Sequence, residues 1–467
     1  MKITNFLKFS YLFFLVLPTI GFCNTSFEEA NTQKLESIFC HYTQSIEYVL
    51  KNSSMIPNSL MNETGGVNNA VNLYQPRFLQ VTNNSILIAR KDSGFQRYCN
   101  VNGIAYQTSR VFRNLSANYS VIFPHLRHLD HTVATEYPRN IYELGDWAGI
   151  SMIQSSVSSE NKILLDYTNS EIEHLYKLLS TSDSGYYDFN FRPIKGRFEV
   201  GHLTLAIDAL SLYSYQSGEM KYVELAIKLI ENLASIDLLE DANQKQYTHL
   251  ATYGEIFESL TLARYVQNQA YSKDALFEKL YYSMKTRFSD KDKNLFFVLN
   301  RPDCHHSLAF EGALYRPLLY FYYNSNQEEV GFINNQIQIT ESVLGVPPIG
   351  GKCSEDNLFA DQNVGALGIY YMYLKMKRIQ SILGMDVDAE AKISRLLDNY
   401  FKFHQAKFFA YERPDSLKGL TKDMGGNVWF FNEGIVPVLY SYINPESLVG
   451  KQNSFQGCNF YFMPGLK

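Results

Sequence analysis

Two kinds of hydrophobic pattern alternate along most of this chain. The segments 312–323, 365–374 and 434–443 are apolar at nearly every position, which is typical of helices buried on all sides. The segment 220–235 instead places its apolar residues on one helical face and its lysines and glutamates on the other. The alternation predicts an inner layer of fully buried helices and an outer layer of amphipathic helices.

A glycine at the start of each fully apolar segment marks a repeat. Successive glycines are separated by 52, 53, 58, 53 and 69 residues, about the length of one helical hairpin with its loops. Six hairpins are enough to close a ring, and we expect each glycine to open the inner helix of its hairpin. The six are Gly149, Gly201, Gly254, Gly312, Gly365 and Gly434.

A second repeat recurs at twice that spacing. The aromatic segments 186–193, 296–303 and 408–415 each contain an Arg-Pro pair and follow one another after 110 and 112 residues. Proline disfavours a helical conformation in the residue before it. We therefore expect these segments to be short extended loops, each joining an outer helix to the next inner helix.

The two ends of the chain do not follow the repeat. Lys2 and Lys8 precede an apolar run over residues 9–20, a pattern typical of a signal peptide and too short to span a bilayer. We expect cleavage after residues 1–23, a helix and a small β-containing region over 24–136, the helical ring over 137–445, and an irregular tail over 446–467. The predicted fold is mainly α, a six-hairpin α/α toroid with a small N-terminal β-containing region, in an exported protein, periplasmic or extracellular.

Charge and absent motifs narrow the classes of function. The net charge of −5 argues against nucleic acid or an anionic membrane as the main partner. The sequence after the signal peptide contains no run typical of a spanning helix, so we expect no integral membrane association. It also lacks a phosphate-binding loop, a Gly-x-Ser-x-Gly elbow and a His-Glu-x-x-His helix. We expect neither a cofactor nor a metal.

Two cysteines lie at equivalent places in neighbouring repeats. Cys304 and Cys353 are 49 residues apart, each just before an inner helix, so the repeat places them at the same end of the ring. In an exported protein this arrangement favours a disulfide. The alternative is zinc held by both thiolates and His305 or His306, a ligand set similar to that of the lanthionine cyclase toroids.

Acidic residues occupy one register of the repeat. Each lies at or near the expected first turn of an inner helix, so a closed ring would bring them all to one mouth. Catalysis at that mouth is one explanation, and helix capping is the other, because Asp and Glu favour helix N-termini. The six are Asp146, Glu199, Glu255, Glu311, Asp361 and Glu433.

The only two tryptophans of the chain accompany two of these acids. Trp147 follows Asp146 directly, and Trp429 lies four residues before Glu433. Ring closure would make the first and sixth hairpins neighbours. Aromatic rings beside carboxylates are typical of a sugar-binding site. The alternative is that both indoles fill the core where the ring closes.

This combination of features resembles a known superfamily. A signal peptide, a small β-containing region and six α/α hairpins over about residues 140–445 are similar to the six-hairpin glycosidase-type toroids, which include glycoside hydrolases, polysaccharide lyases and epimerases. The resemblance implies an enzyme acting on an oligo- or polysaccharide. For a glycoside hydrolase, Asp146 and Glu433 are the leading acid/base pair, with Glu199 and Glu311 in reserve. Trp147 and Trp429 would bind the substrate.

A shorter resemblance favours a different chemistry. Residues 184–188 and 197–203 resemble part of the C-terminal toroid of glucuronyl C5-epimerases. A lyase or epimerase acting on uronic acids would use a Tyr or His as base and an Arg to neutralise the carboxylate. Its candidates are Tyr187, His202, Tyr253 and Arg316. A non-catalytic glycan-binding or scaffold toroid is the third interpretation.

Overall fold

The computed structural model describes residues 162–181, 200–235, 246–290, 295–296, 305–344, 376–377 and 379–385. These residues are mainly helical. A two-residue antiparallel ladder pairs Ser289 with Phe296 and Asp290 with Leu295. The elements are α1 (Lys162–Thr181), α2 (Val200–Ser217), α3 (Lys221–Ser235), α4 (Gln246–Val266), α5 (Ala275–Phe288), β1 (Ser289–Asp290), β2 (Leu295–Phe296), α6 (His305–Tyr323) and α7 (Gln327–Leu344).

The helices α2, α4 and α6 form a fully buried inner layer. Every residue is buried over 206–214 in α2, over 256–263 in α4 and over 313–321 in α6. A helix surrounded on all sides needs apolar residues on all sides, as these segments provide. For these three helices the predicted burial is confirmed.

The helix α3 shows the pattern of the outer layer. Val223, Ala226 and Ile230 are buried, whereas Lys228 and Glu231 are exposed. Its apolar face packs on the inner layer, because Val223 and Ile227 form one core cluster with Ala263 of α4. The predicted amphipathic outer helix is therefore confirmed for α3.

The inner helices α2 and α4 run parallel. Near the start of α2, the carbonyl of Thr204 accepts a hydrogen bond of 3.4 Å from the hydroxyl of Ser259. Further along both helices, Leu212 packs against Leu262. Contacts that advance in the same direction along two helices require a parallel arrangement, so the N-terminal ends of α2 and α4 lie at the same side of the layer.

The helices α4 and α6 are also parallel. Glu258 in α4 is bonded to Tyr315 in α6, and beyond the end of α4 the ring of Tyr271 lies 5.4 Å from that of Tyr323. The outer helix α5 runs back along α4, because Arg264 pairs with Asp274 while Tyr253 contacts Phe288. Successive hairpins thus repeat one arrangement, with parallel inner helices and outer helices packed behind them.

Several predicted features fall outside the described residues. They are the signal peptide (1–23), the region 24–136, the C-terminal tail (446–467) and the contact between the Gly149 and Gly434 hairpins that would close the ring.

The expectation that each repeat glycine opens a helix is wrong at two positions. Gly201 is the second residue of α2, but α4 begins at Gln246, before Gly254, and α6 begins at His305, before Gly312. Neither lead-in segment contains glycine or proline, so nothing stops the helix from starting earlier. A glycine inside a helix costs about 0.5–1 kcal/mol relative to alanine. The two helices that contain these glycines, α4 and α6, make the most extensive helix–helix contact among the described elements.

Side chains join successive outer helices in two places. Between α1 and α3, the carboxylate of Glu173 accepts hydrogen bonds from the ammonium of Lys221, at 3.0 Å, and from the hydroxyl of Tyr222. Lys221 also lies 4.6 Å above the ring centre of Tyr222. The two bonds lower the pKa of Glu173 below its ordinary value of 4.5, with the Tyr222 hydroxyl as the larger cause.

The same side-chain types recur between α5 and α7. Glu329 accepts hydrogen bonds of 2.7 Å from both the hydroxyl of Tyr281 and the ammonium of Lys285, which lies 4.0 Å above the ring of Phe332. Positions 173 and 281 are 108 residues apart, as are positions 221 and 329. This spacing is close to that of the aromatic Arg-Pro segments. The location of the contact therefore repeats with the two-hairpin period, but its polarity is reversed, because the acid lies on the first helix in one contact and on the second helix in the other.

The replacement Phe257→Ala tests the packing of α4 against α5. Phe257 is fully buried, and its ring lies 4.9 Å from that of Phe277. We expect the free energy of unfolding, measured by urea denaturation, to fall by about 3–5 kcal/mol, because the substitution leaves a cavity. Lys228→Ala on the exposed face of α3 is the control. A loss no larger than that of the control would contradict the described packing.

The replacement Glu173→Gln tests the α1–α3 contact through its pH dependence. A carboxylate whose pKa is lowered by folding stabilises the fold above its ordinary value of 4.5, and this contribution disappears as the pH falls through the folded value. We expect wild type to be more stable than the variant at neutral pH and the difference to shrink below pH 4.5. Urea denaturation over a pH series measures it. A difference independent of pH would exclude the ionic contact as its source.

Candidate active site

Most of the predicted site residues lie outside the described residues, and their roles stay predictions. Four lie inside: His202 is the third residue of α2, Tyr253 belongs to α4, and Glu311 and Arg316 belong to α6. Those outside are Asp146, Trp147, Tyr187, Glu199, Cys304, Cys353, Trp429 and Glu433.

The acids of α4 and α6 are not in first turns. Glu255 is the tenth residue of α4 and Glu311 the seventh of α6, whereas the first turn of neither helix contains an acid. The expected first-turn positions are therefore wrong for these two residues, because both helices start earlier than their glycines. Helix capping and the helix dipole act at the first turn only. Neither effect accounts for an acid at these positions.

The parallel packing of α4 and α6 puts these two acids at one level. Glu258 contacts Tyr315 across the two helices. One turn earlier, Glu255 lies three residues before Glu258, and Glu311 lies four residues before Tyr315. Because residues three or four apart share a helical face, positions 255 and 311 occupy the same interface one turn nearer the N-terminal ends. We call this interface, from Gly254 to Glu258 on α4 and from Glu311 to Arg316 on α6, the α4–α6 seam.

A buried ion pair lies at the C-terminal end of the seam. The guanidinium of Arg316 donates from Nε to Oε2 of Glu258 at 2.6 Å and from Nη2 to Oε1 at 2.9 Å. The hydroxyl of Tyr315 also donates to Glu258, and Nη1 of Arg316 donates to the hydroxyl of Tyr271. Arg316 is 0% and Glu258 1% exposed. Four side chains thus connect α4, the turn after it, and α6.

Burial and charge act in opposite directions on Arg316. Burial alone lowers the pKa of the guanidinium, but the negative charge of Glu258 outweighs it, and the pKa is raised well above its usual value. Burial is also the main cause that raises the pKa of Tyr271 above its ordinary value, so its phenol stays neutral and accepts the arginine hydrogen bond. The raised pKa values therefore favour a charged guanidinium at Arg316 and a neutral phenol at Tyr271.

Arg316 and Tyr253 have packing partners in the structure. The charge of Arg316, the candidate for neutralising a uronic acid, is already matched by Glu258, and its side chain is fully buried. Tyr253, a candidate base, is 2% exposed, and its hydroxyl lies 3.2 Å from that of Ser283 in α5. Both side chains join helices to one another.

Sequence reasoning missed Glu258, Tyr271 and Tyr315. The sequence contains a signal for the ion pair, because Glu258 is the only charged residue in 256–263 and Arg316 the only one in 312–323. Each follows its repeat glycine by four residues, so the two are separated by the same 58 residues as Gly254 and Gly312. Opposite charges at one register of adjacent buried helices indicate a pair. Tyr271 has no comparable signal, since it belongs to a turn.

The described part of the chain offers neither a metal site nor a membrane span. Among the described residues, no three His, Cys, Asp or Glu side chains are grouped so that they could hold a metal ion. Of the helices with described residues, none is long and apolar enough to cross a membrane.

Neither protein-family models nor curated proteins nor solved structures match this chain.

The replacement Arg316→Met tests the ion pair. Removing one partner leaves the carboxylate of Glu258 buried and uncompensated, and we expect a loss of about 3–5 kcal/mol in the free energy of unfolding. The double variant Glu258→Leu/Arg316→Met should be much closer to wild type, because an apolar pair of similar volume replaces the ion pair without leaving a charge. Urea denaturation measures both. Equal stabilities of single and double variants would contradict the pairing.

Proposed function

We propose that this protein is an exported glycoside hydrolase, folded as a six-hairpin α/α toroid with a small N-terminal β-containing region. The observation that carries the proposal is the parallel packing of α2, α4 and α6 in chain order, with α3 and α5 behind them. Repetition of this step through six hairpins is the architecture of an α/α toroid. Residues of one repeat register then lie at one level, where a substrate can contact several of them.

The chemistry rests on carboxylates at that level. Asp146 and Glu433 remain the leading acid/base pair because each has a tryptophan close by in sequence. Glu199 and Glu311 are the reserve. One carboxylic acid protonates the leaving oxygen of the glycosidic bond, and the other carboxylate activates water or attacks the sugar. A separation of about 5–5.5 Å between the two favours retention of configuration, and about 6.5–9.5 Å favours inversion.

The contacts of Arg316 and Tyr253 support hydrolysis over elimination. A lyase needs a cation that is available to the substrate carboxylate and a base that can reach the sugar. Arg316 is buried against Glu258, and Tyr253 is buried against the outer helix α5. Of the four candidate residues for a lyase reaction, Tyr187 and His202 remain. Both side chains also suit hydrogen bonding to sugar hydroxyls.

The proposed substrate is an oligo- or polysaccharide met after export. The signal-peptide pattern of residues 1–23 supports export, and the net charge of −5 supports a partner other than nucleic acid. The aromatic share of 15%, with tyrosines throughout the inner helices, is compatible with a sugar-binding surface at the ring mouth. No cofactor is needed for carboxylate-catalysed hydrolysis.

Turnover of sugar polymers by the protein from residue 24 onward tests the proposal. We expect reducing ends to be released from at least one member of a panel of neutral and uronic-acid polysaccharides. Asp146→Asn and Glu433→Gln should each lower kcat by roughly 10²–10⁴-fold, the usual contribution of a positioned acid or base. Glu199→Gln and Glu311→Gln are measured beside them. Glu231→Gln, on the exposed face of α3, is the matched control and should keep full activity.

Other outcomes of the same experiment identify the rivals. An unsaturated product that absorbs ultraviolet light would mean elimination. Tight binding of a polysaccharide without any turnover would mean a binding or scaffold protein. Full activity of all four carboxylate variants would remove the proposed site.

A further inference from the structure

The Glu258–Arg316 ion pair of the seam lies one turn from Glu255 and Glu311. Its geometry is more restricted than apolar packing of two helices requires. Glu258, Arg316, Tyr315 and Tyr271, which we call the seam network, connect α4, the turn after α4, and α6 through directed hydrogen bonds. Around them the two helices are buried and mostly apolar. Apolar helix surfaces of the right size tolerate alternative packings, whereas a forked arginine–carboxylate pair has one geometry.

Burial makes this geometry selective for one alignment of the helices. Sliding α6 along α4 by one turn moves it by about 5.4 Å. Such a shift would separate Arg316 from Glu258 and leave two charges buried without partners, which is far more costly than an apolar mismatch. A pair of this kind contributes more to the choice of alignment than to overall stability. The role is well known from single buried polar residues that fix helix register.

The alignment of the two helices matters because Glu255 and Glu311 lie at the N-terminal end of the seam. Glu255 and Glu311 occupy equivalent levels one turn nearer the N-terminal ends, and Gly254 and Gly312 lie beside them. We propose that the seam network is a positioning device, which fixes the register of α6 on α4 and thereby the separation of the Glu255 and Glu311 positions. Its consequence for catalysis rests on the proposed function, in which Glu311 is one of the acids. The network itself does not touch the substrate.

Cross-linking tests the positioning without any substrate. Cysteines replace both acids (Glu255→Cys/Glu311→Cys), and a short bifunctional thiol reagent is added to the folded protein, with each single-cysteine variant as background for the native cysteines. We expect rapid bridging when the network is intact and several-fold slower bridging when Glu258→Leu/Arg316→Met is added. Equal rates, or no bridging with the intact network, would overturn the proposal.

A matched control comes from the outer layer. Lys285→Met/Glu329→Leu removes a comparable carboxylate–ammonium–tyrosine contact, between α5 and α7, and should leave the bridging rate unchanged. Arg316→Lys keeps the charge but lacks the fork that fills both carboxylate oxygens. Its bridging rate should lie between those of the intact and apolar variants. If the control slows bridging as much as Glu258→Leu/Arg316→Met does, the slowing reflects a general loosening of the fold. That result would also overturn the proposal.

Kinetics then connect the network to activity. If Glu311→Gln lowers kcat, so that Glu311 takes part in the reaction, Glu258→Leu/Arg316→Met should lower kcat on the same substrate by roughly 100-fold with little change in KM, because a displacement of about 1 Å at reacting groups has that effect. A purely structural network would lower the thermal stability and leave kcat unchanged. If the wild type turns over no sugar polymer, the proposed function fails, and the cross-linking result still decides whether the network sets the register.

Discussion

A helix that is buried on every side has no solvent face on which to place a charge. This constraint governs the inner layer, where α2, α4 and α6 are each buried over at least two turns. Any charge in such a segment has to be matched inside the protein, because leaving it unpaired in a medium of low dielectric is prohibitively costly. Glu258 and Arg316 meet the requirement by pairing across adjacent helices. In α4 and α6 the buried charges are thus carried by a pair that two neighbouring repeats share.

The layering of the fold could be predicted, but the starts of the helices could not. Continuous apolar segments and one-sided stripes distinguish inner from outer helices because burial follows composition around the helix axis. The repeat predicts that Gly254 and Gly312 open their helices, because each precedes an apolar segment at a nearly constant period. Both lie inside helices, because a single glycine lowers helix propensity by only about 1 kcal/mol and does not by itself end a helix. Close contact of α4 with α6 tolerates that loss.

The role of Arg316 shows why a site is harder to predict than a fold. An arginine in the middle of an inner helix is compatible with a substrate ligand or an ion pair, and the difference is the position of its partner. Glu258 is 58 residues away in sequence and becomes its neighbour only because α4 and α6 are parallel and in register. The repeat spacing indicates that Glu258 and Arg316 are neighbours, but only when equivalent positions in successive repeats are compared. Tyr271 contributes from an irregular turn, where no periodic pattern applies.

The connection between α4 and α5 limits how its own length can change. Tyr271 adopts a φ of 57°, which is unfavourable for a bulky residue, and is nonetheless buried with its hydroxyl on Arg316. The carbonyl of Tyr271 accepts a hydrogen bond of 3.1 Å from the side-chain amide of Asn324, in the turn after α6. A residue inserted between Val266 and Tyr271 would withdraw this side chain from both partners. An insertion in this connection should therefore destabilise the protein more than one in a loop that sends no side chain into the core.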